Sequence, residues 1–141
     1  WLKEQTGDFA IAEYPLITNC PIETYKFYQT KHQKKIINGA IPGTYAFKVA
    51  ESIAELSHPG TAGVLKWMGV KYVLVHRDEY FRSELEKMIE ELKGIPKNPA
   101  LKLVKEFPSQ ECPQKDIMCV QKTGPIDVYE ITAKPAEPKI E

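Results

Sequence analysis

The stretch Val70-Lys71-Tyr72-Val73-Leu74-Val75 constrains the fold more than any other. It is β-branched, aromatic or aliphatic at every position but Lys71, and it does not alternate apolar with polar residues. A strand with one wet face alternates; an unbroken apolar run belongs to a strand covered on both faces. These residues therefore mark the centre of a sheet.

The flanking segments supply further layers. Residues 9–14 form a second apolar run ended by Pro15, which reads as a buried strand. Asn19-Cys20-Pro21 resembles a helix entry with proline near the first position. Ile22, Tyr25 and Tyr28 at threefold spacing carry that helix to about residue 30. Residues 31–39 read as a basic hinge with a short strand. Thr44 opens the next helix, whose apolar face is Val49, Ile53 and Leu56 with Ala46 and Ala50 beside them. His58-Pro59-Gly60 stops it, Thr61 is placed to cap another, and Gly69 ends that one. Asp78 is expected to cap a continuous helix to about residue 93, with Phe81, Leu85, Met88, Ile89 and Leu92 as its stripe. A Lys87–Glu91 pair should support it. Leu101, Leu103, Lys105 and Phe107 alternate as though on one strand face, and residues 117–121 and 126–132 read as two more strands. The order predicts an α/β domain: a mixed, partly parallel sheet flanked by helices, antiparallel toward the C-terminus. Residues 1–132 form the domain and residues 133–141, rich in proline and charge, a flexible tail.

Composition narrows the function classes. The chain has 141 residues, with 19 basic and 19 acidic side chains and no net charge. That length suits one domain able to bury a core without metal or disulfide. Neutrality disfavours a nucleic-acid binder, which ordinarily shows a basic excess. The longest uncharged run, residues 36–47, is interrupted by Gly39, Pro42 and Gly43, far short of the ~20 apolar residues of a membrane span. With no starting methionine, the sequence reads as a soluble piece of something longer.

Catalytic signatures are absent. There is no phosphate loop, no G-x-G-x-x-G and no G-x-S-x-G elbow. His32, His58 and His76 lack metal-site spacing, so neither metal nor cofactor is expected. Cys20, Cys112 and Cys119 are odd in number. A Cys112–Cys119 bond would close an eight-residue loop, worth roughly 2.5 kcal/mol in an oxidising compartment; in a reducing one both stay thiols.

Two constellations carry chemistry. Residues 26–35 hold four positive charges, Lys26, Lys31, Lys34 and Lys35, and no negative one. Lysines there suit phosphate oxygens or anionic headgroups, or simply form a solvated loop. His76-Arg77-Asp78 directly follows the central strand, at the end where open α/β sheets bind ligands. The plainer alternative has His76 satisfying a backbone carbonyl while Asp78 caps a helix.

Several segments together resemble a known tail. They are Trp1-Leu2-Lys3-Glu4 with Gly7-Asp8-Phe9-Ala10-Ile11-Ala12-Glu13-Tyr14-Pro15; Tyr28-Gln29-Thr30-Lys31-His32 with Lys34 and Ile37-Asn38-Gly39; Leu65 with Gly69 and the strand ending in His76; and Val128-Tyr129-Glu130-Ile131. The set resembles the domain that follows the last membrane span of polytopic, C-type glycosyltransferases using polyprenyl-phosphate sugars, including the mannosyltransferase-like group. The resemblance implies a non-catalytic, extracytoplasmic accessory domain, tethered at the membrane through upstream spans. Its partners would be the transmembrane portion of its own chain, a lipid-linked sugar or glycan, and anionic lipid. The catalytic acids of that family lie in the membrane portion, so none is carried over. The matching positions are His32, Lys34, Asn38, Gly39 and His76. Lys31, His32, Lys34, Lys35, Asn38 and His76 are thus the candidate binding residues. In that compartment Cys112 and Cys119 would favour the disulfide. The alternative is an independent small-molecule enzyme or binding module with its site near His76.

Overall fold

A computed structural model describes residues 1–16, 21–39, 41–82, 85–111 and 122–140. The chain runs β1 (Ala10–Tyr14), α1 (Pro21–His32), β2 (Lys35–Ile36), α2 (Tyr45–Ser52), α3 (Pro59–Trp67), β3 (Val70–His76), α4 (Arg77–Arg82), α5 (Glu86–Gly94), β4 (Leu101–Phe107), β5 (Gln110–Glu111), β6 (Lys122–Thr123) and β7 (Ile126–Ile131). Five strands form one sheet in the order β2-β1-β3-β7-β4, and β5 pairs with β6 separately. β2, β1 and β3 are parallel, while β7 runs antiparallel to both β3 and β4. The fold is α/β with a mixed sheet, antiparallel toward the C-terminus, as the segment order predicts.

β3 is the central strand, and Val70, Val73 and Val75 are at most 1% exposed. Each fully buried aliphatic side chain contributes about 1.5–3 kcal/mol, enough to offset the ~1–2 kcal/mol of backbone entropy lost per ordered residue. The two faces carry separate cores. Ala12, Tyr14, Val73, Val75, Tyr129 and Ile131 meet α3, α4, α5 and the loop after α2 through Ile53, Leu56, Leu65, Tyr80 and the partly buried Met88 and Leu92. On the other face Ile11, Tyr72, Leu74 and Val128 are covered by Trp1, Leu2 and Phe9.

Several local expectations are corrected. The helix predicted from residue 78 to 93 divides in two: α5 begins at its N-cap Leu85, and Phe81 and Leu85 are 56% and 62% exposed. Asp78 lies inside the first turn of α4 rather than at a cap. Lys87 reaches Glu55 at 2.6 Å, and Glu91 accepts hydrogen bonds from the Ser57 amide (2.8 Å) and hydroxyl. Bonds to the preceding loop thus replace the expected i,i+4 pair. His58, not Thr61, caps α3: its Nδ1 accepts from the Gly60 amide at 3.1 Å, with Pro59 at the first position. Thr61 is buried and donates to the Glu55 carbonyl at 2.6 Å. Gly69 ends the connection at φ +82, a backbone that L side chains rarely adopt. Ala46 is exposed, and Val49, Ile53 and Leu56 are buried as predicted, but the helix ends at Ser52, so Ile53 and Leu56 reach the core from the loop that follows rather than from the helix expected to run to His58.

β4 departs from alternation. Its register with β7 slips between Leu103 and Lys105, so Leu103 opposes Tyr129 and Lys105 opposes Val128. Leu101 accordingly packs with the first core while Val104 and Phe107 pack with the second. The predicted strand at residues 117–121, and Cys20, Cys112 and Cys119, lie outside the described residues. In the C-terminal segment Ala133 packs against the first core, and the Ala136 amide donates to the Gly63 carbonyl at 3.0 Å.

One buried polar side chain ties the loops beneath the first core. Asn98, 3% exposed, donates to the carbonyls of Leu56 (2.9 Å) and His58 (3.3 Å) and accepts from the Ala100 amide at 3.0 Å. Asn98→Ala strands those groups away from water and is expected to cost about 2 kcal/mol. Urea unfolding with an unchanged m-value measures this; a loss under about 0.5 kcal/mol would mean that solvent reaches the site.

Candidate functional site

Chain order places a crevice at one end of the sheet. From β1 the chain passes to β2 on one side, then returns to β3 on the other. The carboxyl ends of strands at such a switch are where open sheets hold ligands. Glu13 is the penultimate residue of β1 and His76 the last of β3. Period-2 alternation puts Glu13 on the face of Ile11, and His76 on that of Tyr72 and Leu74, the side lined by the second core.

Glu13 is completely buried. A lone carboxylate there would be prohibitively costly unless paired. His76 Nε2 stands 2.6 Å from Glu13 Oε2, and His32 Nε2 stands 3.8 Å from Oε1. The first is a short charge-assisted hydrogen bond; the second is too long for one. Burial pushes the Glu13 carboxyl up, but the facing imidazoles of His32 and His76 outweigh it and hold the group below its ordinary value. Glu13 is therefore ionised near neutrality, and it accepts from His76 Nε2–H.

Each partner is positioned by local structure. α1 ends at His32, and Gln33 turns the chain with φ +59. The Lys34 amide then donates to His32 Nδ1 at 3.0 Å. With Nδ1 an acceptor, neutral His32 carries its proton on Nε2, the nitrogen facing Glu13. Asn38 acts on the backbone. β2 pairs with β1 only at Ala10 and Ile11. Beyond that, Asn38 Oδ1 accepts from the Glu13 amide (3.0 Å) and Nδ2 donates to the Glu13 carbonyl (2.7 Å). One side chain thus extends the ladder and fixes the Glu13 peptide. The Tyr25 ring stacks on His76 with centroids 4.8 Å apart, and Tyr28 lies parallel at 6.1 Å. Burial, followed by the nearby Glu13 charge, raises the Tyr25 and Tyr28 phenols above their ordinary value, so both stay neutral.

Glu13, His32, His76 and Tyr28 line a cavity of about 370 Å³. Glu13, His32, His76, Tyr28, Lys3 and Lys31 supply its polar wall; Trp1, Leu2, Leu74, Phe107 and Ile126 supply the apolar one. That size and mixture are ordinary for a small-molecule site. Among the described residues, Glu13 Oε1 and His32 Nε2 are buried without a hydrogen-bond partner. No group of three or more His, Cys, Asp or Glu side chains among them is arranged to hold a metal ion.

The structure gathers part of the predicted set and scatters the rest. His32, Asn38 and His76 converge on Glu13, and Lys31 lines the same cavity. Lys34 instead donates to the Gln5 carbonyl at 2.6 Å, with its ammonium 4.5 Å from the centre of the Phe9 ring. Lys35 pairs with Asp8 at 2.8 Å, both exposed, an interaction of little energetic weight. His76 binds a carboxylate rather than a backbone carbonyl. The residue that sequence reasoning missed is Glu13. Its signal was a solitary acid inside an apolar run of a doubly covered strand.

The chain matches no protein-family model, no curated protein and no solved structure. Among the described residues, no helix is long and apolar enough to cross a membrane.

Because the folded Glu13 value lies below the ordinary 4.5, its ionised form stabilises the fold above that pH. The contribution disappears as pH falls through the depressed value. Glu13→Gln is therefore expected to be less stable than wild type near neutrality and to converge with it in acid. Denaturant unfolding across a pH series checks this; a difference independent of pH overturns it.

Proposed function

We propose that this domain is a non-catalytic, ligand-binding accessory module of a membrane glycosyltransferase-like protein. It would sit on the extracytoplasmic face, tethered through upstream spans, with its ligand in the cavity between α1 and the carboxyl ends of β1 and β3. The observation carrying the binding part is the buried Glu13 carboxylate, held by His76 at 2.6 Å and faced by a His32 nitrogen that it does not reach. A polar floor under an apolar cavity wall is the usual composition of a small-molecule site. The membrane part rests on the ordered resemblance of residues 1–15, 28–39, 65–76 and 128–131 to the glycosyltransferase tail. Of the candidate lysines, Lys31 lines the cavity, as Lys3 also does, and on this reading it would meet a lipid phosphate.

One observation favours a second reading. With Nε2 of His76 given to Glu13, its Nδ1 is left as the basic nitrogen. Carboxylate-oriented imidazoles of this kind serve as general bases. An independent enzyme acting at His76 would use that pair.

Two measurements separate these readings. Free glycans and detergent-solubilised polyprenyl-phosphate sugars are expected to raise the melting temperature of the chain without being consumed, and Ile126→Trp, which fills the cavity, should abolish the rise. Turnover that Glu13→Gln eliminates would replace the binding reading with the enzymatic one. No response to any compound would remove both. For the membrane part, the parent reading frame is expected to encode a span of about 20 apolar residues upstream of Trp1; a frame without spans refutes the tether.

A further inference from the structure

His32 is held from two sides by groups that ask for different protonation states. On one side the Lys34 amide donates to its Nδ1 at 3.0 Å. That bond needs a bare Nδ1, so it exists only while the imidazole is neutral. On the other side Nε2 faces the Glu13 carboxylate at 3.8 Å, too far for a hydrogen bond but near enough for two charges to attract. That attraction is complete only when the imidazole is protonated.

A proton added at Nδ1 therefore acts twice in one direction. Nδ1–H and the Lys34 N–H become two donors facing each other, so the bond between them is lost. The charged ring is at the same time drawn toward Glu13. Its place as the last residue of α1 adds the attraction of the terminal helix carbonyls for a cation. The turn that is let go is one that needs holding. Gln33, between His32 and Lys34, sits at φ +59, a left-handed backbone that L side chains seldom adopt. The Gln33 amide still donates to the Gln29 carbonyl at 2.8 Å, and Gln29 Nε2 to the Lys34 carbonyl at 3.1 Å. Those ties confine the change to the turn and leave α1 wound.

The surrounding charges divide around this ring. His76 of β3 takes Oε2 of Glu13 and leaves Oε1 to His32. Lys3 and Lys31 line the same cavity and oppose a further positive charge. Asp78 and Glu79 of α4, whose charges reach the neighbouring Tyr25 and Tyr28, favour it. The Lys34 ammonium is turned away to the Gln5 carbonyl. We propose that His32 is a proton-operated latch: neutral, it clamps the turn between α1 and β2 through the Lys34 amide; protonated, it releases that turn and closes on Glu13. Both residues line the cavity, so the latch reshapes the cavity floor, and whatever binds there does so with an affinity linked to the proton. The latch does not depend on what fills the cavity, or on whether anything does.

The test is NMR on the full 141-residue chain labelled with 15N, from about pH 8 to about pH 5, where imidazoles ordinarily change charge. It follows the His32 ring nitrogens together with hydrogen exchange at the Lys34 amide. Protection of that amide is expected to fall about tenfold, the worth of one hydrogen bond, in step with the titration of the His32 ring. The Ile37 amide, which donates to the Ile11 carbonyl beyond the turn, should keep its protection. In His32→Gln, whose side-chain oxygen can accept from the Lys34 amide at any pH, protection at Lys34 should persist throughout. If this variant does not fold, the contrast between Lys34 and Ile37 in the wild type decides. Protection at Lys34 that ignores the His32 titration, that falls equally in His32→Gln, or that is lost together with Ile37 overturns the latch. A His32 ring that keeps one protonation state over the whole range overturns it as well.

Discussion

Burying Glu13 on a sheet face that also carries Ile11, Tyr72, Leu74 and Val128 is the constraint to which the surrounding structure answers. A charge in that position must be surrounded by donors or neutralised. α1 provides His32 and the stacked Tyr25 and Tyr28, β3 provides His76, and the strand-edge loop provides Asn38. Three separate stretches are drawn to one residue, two to its carboxylate and one to its backbone. The first core, by contrast, is assembled almost wholly from apolar side chains and makes no comparable demand. One face of the sheet therefore holds the fold together, and the other holds the chemistry.

That division explains what the sequence disclosed. Hydrophobic pattern is a local signal, and it located β1, β3 and β7; turn-forming residues, equally local, located the proline entry to α1, the opening of α2 near Thr44 and the Gly69 stop. The errors arose where a distant partner outweighed a local rule. Lys87 and Glu91 sit at ideal spacing for each other, yet Glu55 and Ser57 stand closer in the folded chain. Thr61 is a good capping residue, but His58 and Pro59 begin the helix earlier and leave the threonine buried. The stripe from Phe81 to Leu92 looked continuous because periodicity does not register the break at Leu85, whose backbone is extended.

The site was half legible. His76 was found from its place after the central strand, and His32 and Asn38 from the resemblance. Glu13 escaped because an acid is expected to be exposed, and one carboxylate in a short strand does not change the apolar signal. The lysines misled in the opposite sense. Closeness in sequence suggested a common cationic face, but a helix end, a left-handed residue and a two-residue strand point successive side chains in different directions. Lys31 turns to the cavity, Lys34 to the Gln5 carbonyl and Lys35 to Asp8.

The irregularity in β4 has a consequence of its own. Strict alternation would aim Phe107 toward the same side as Leu101; the slip after Leu103 sends it to the cavity wall instead. The aromatic wall is thus addressed by a count of residues rather than by their identity. Exchanging side chains along β4 can resize that wall but cannot move it across the sheet. Only gaining or losing a residue can do so. Lineages of this domain that differ by one residue in β4 would accordingly differ in what the cavity admits, even with every cavity-lining amino acid retained.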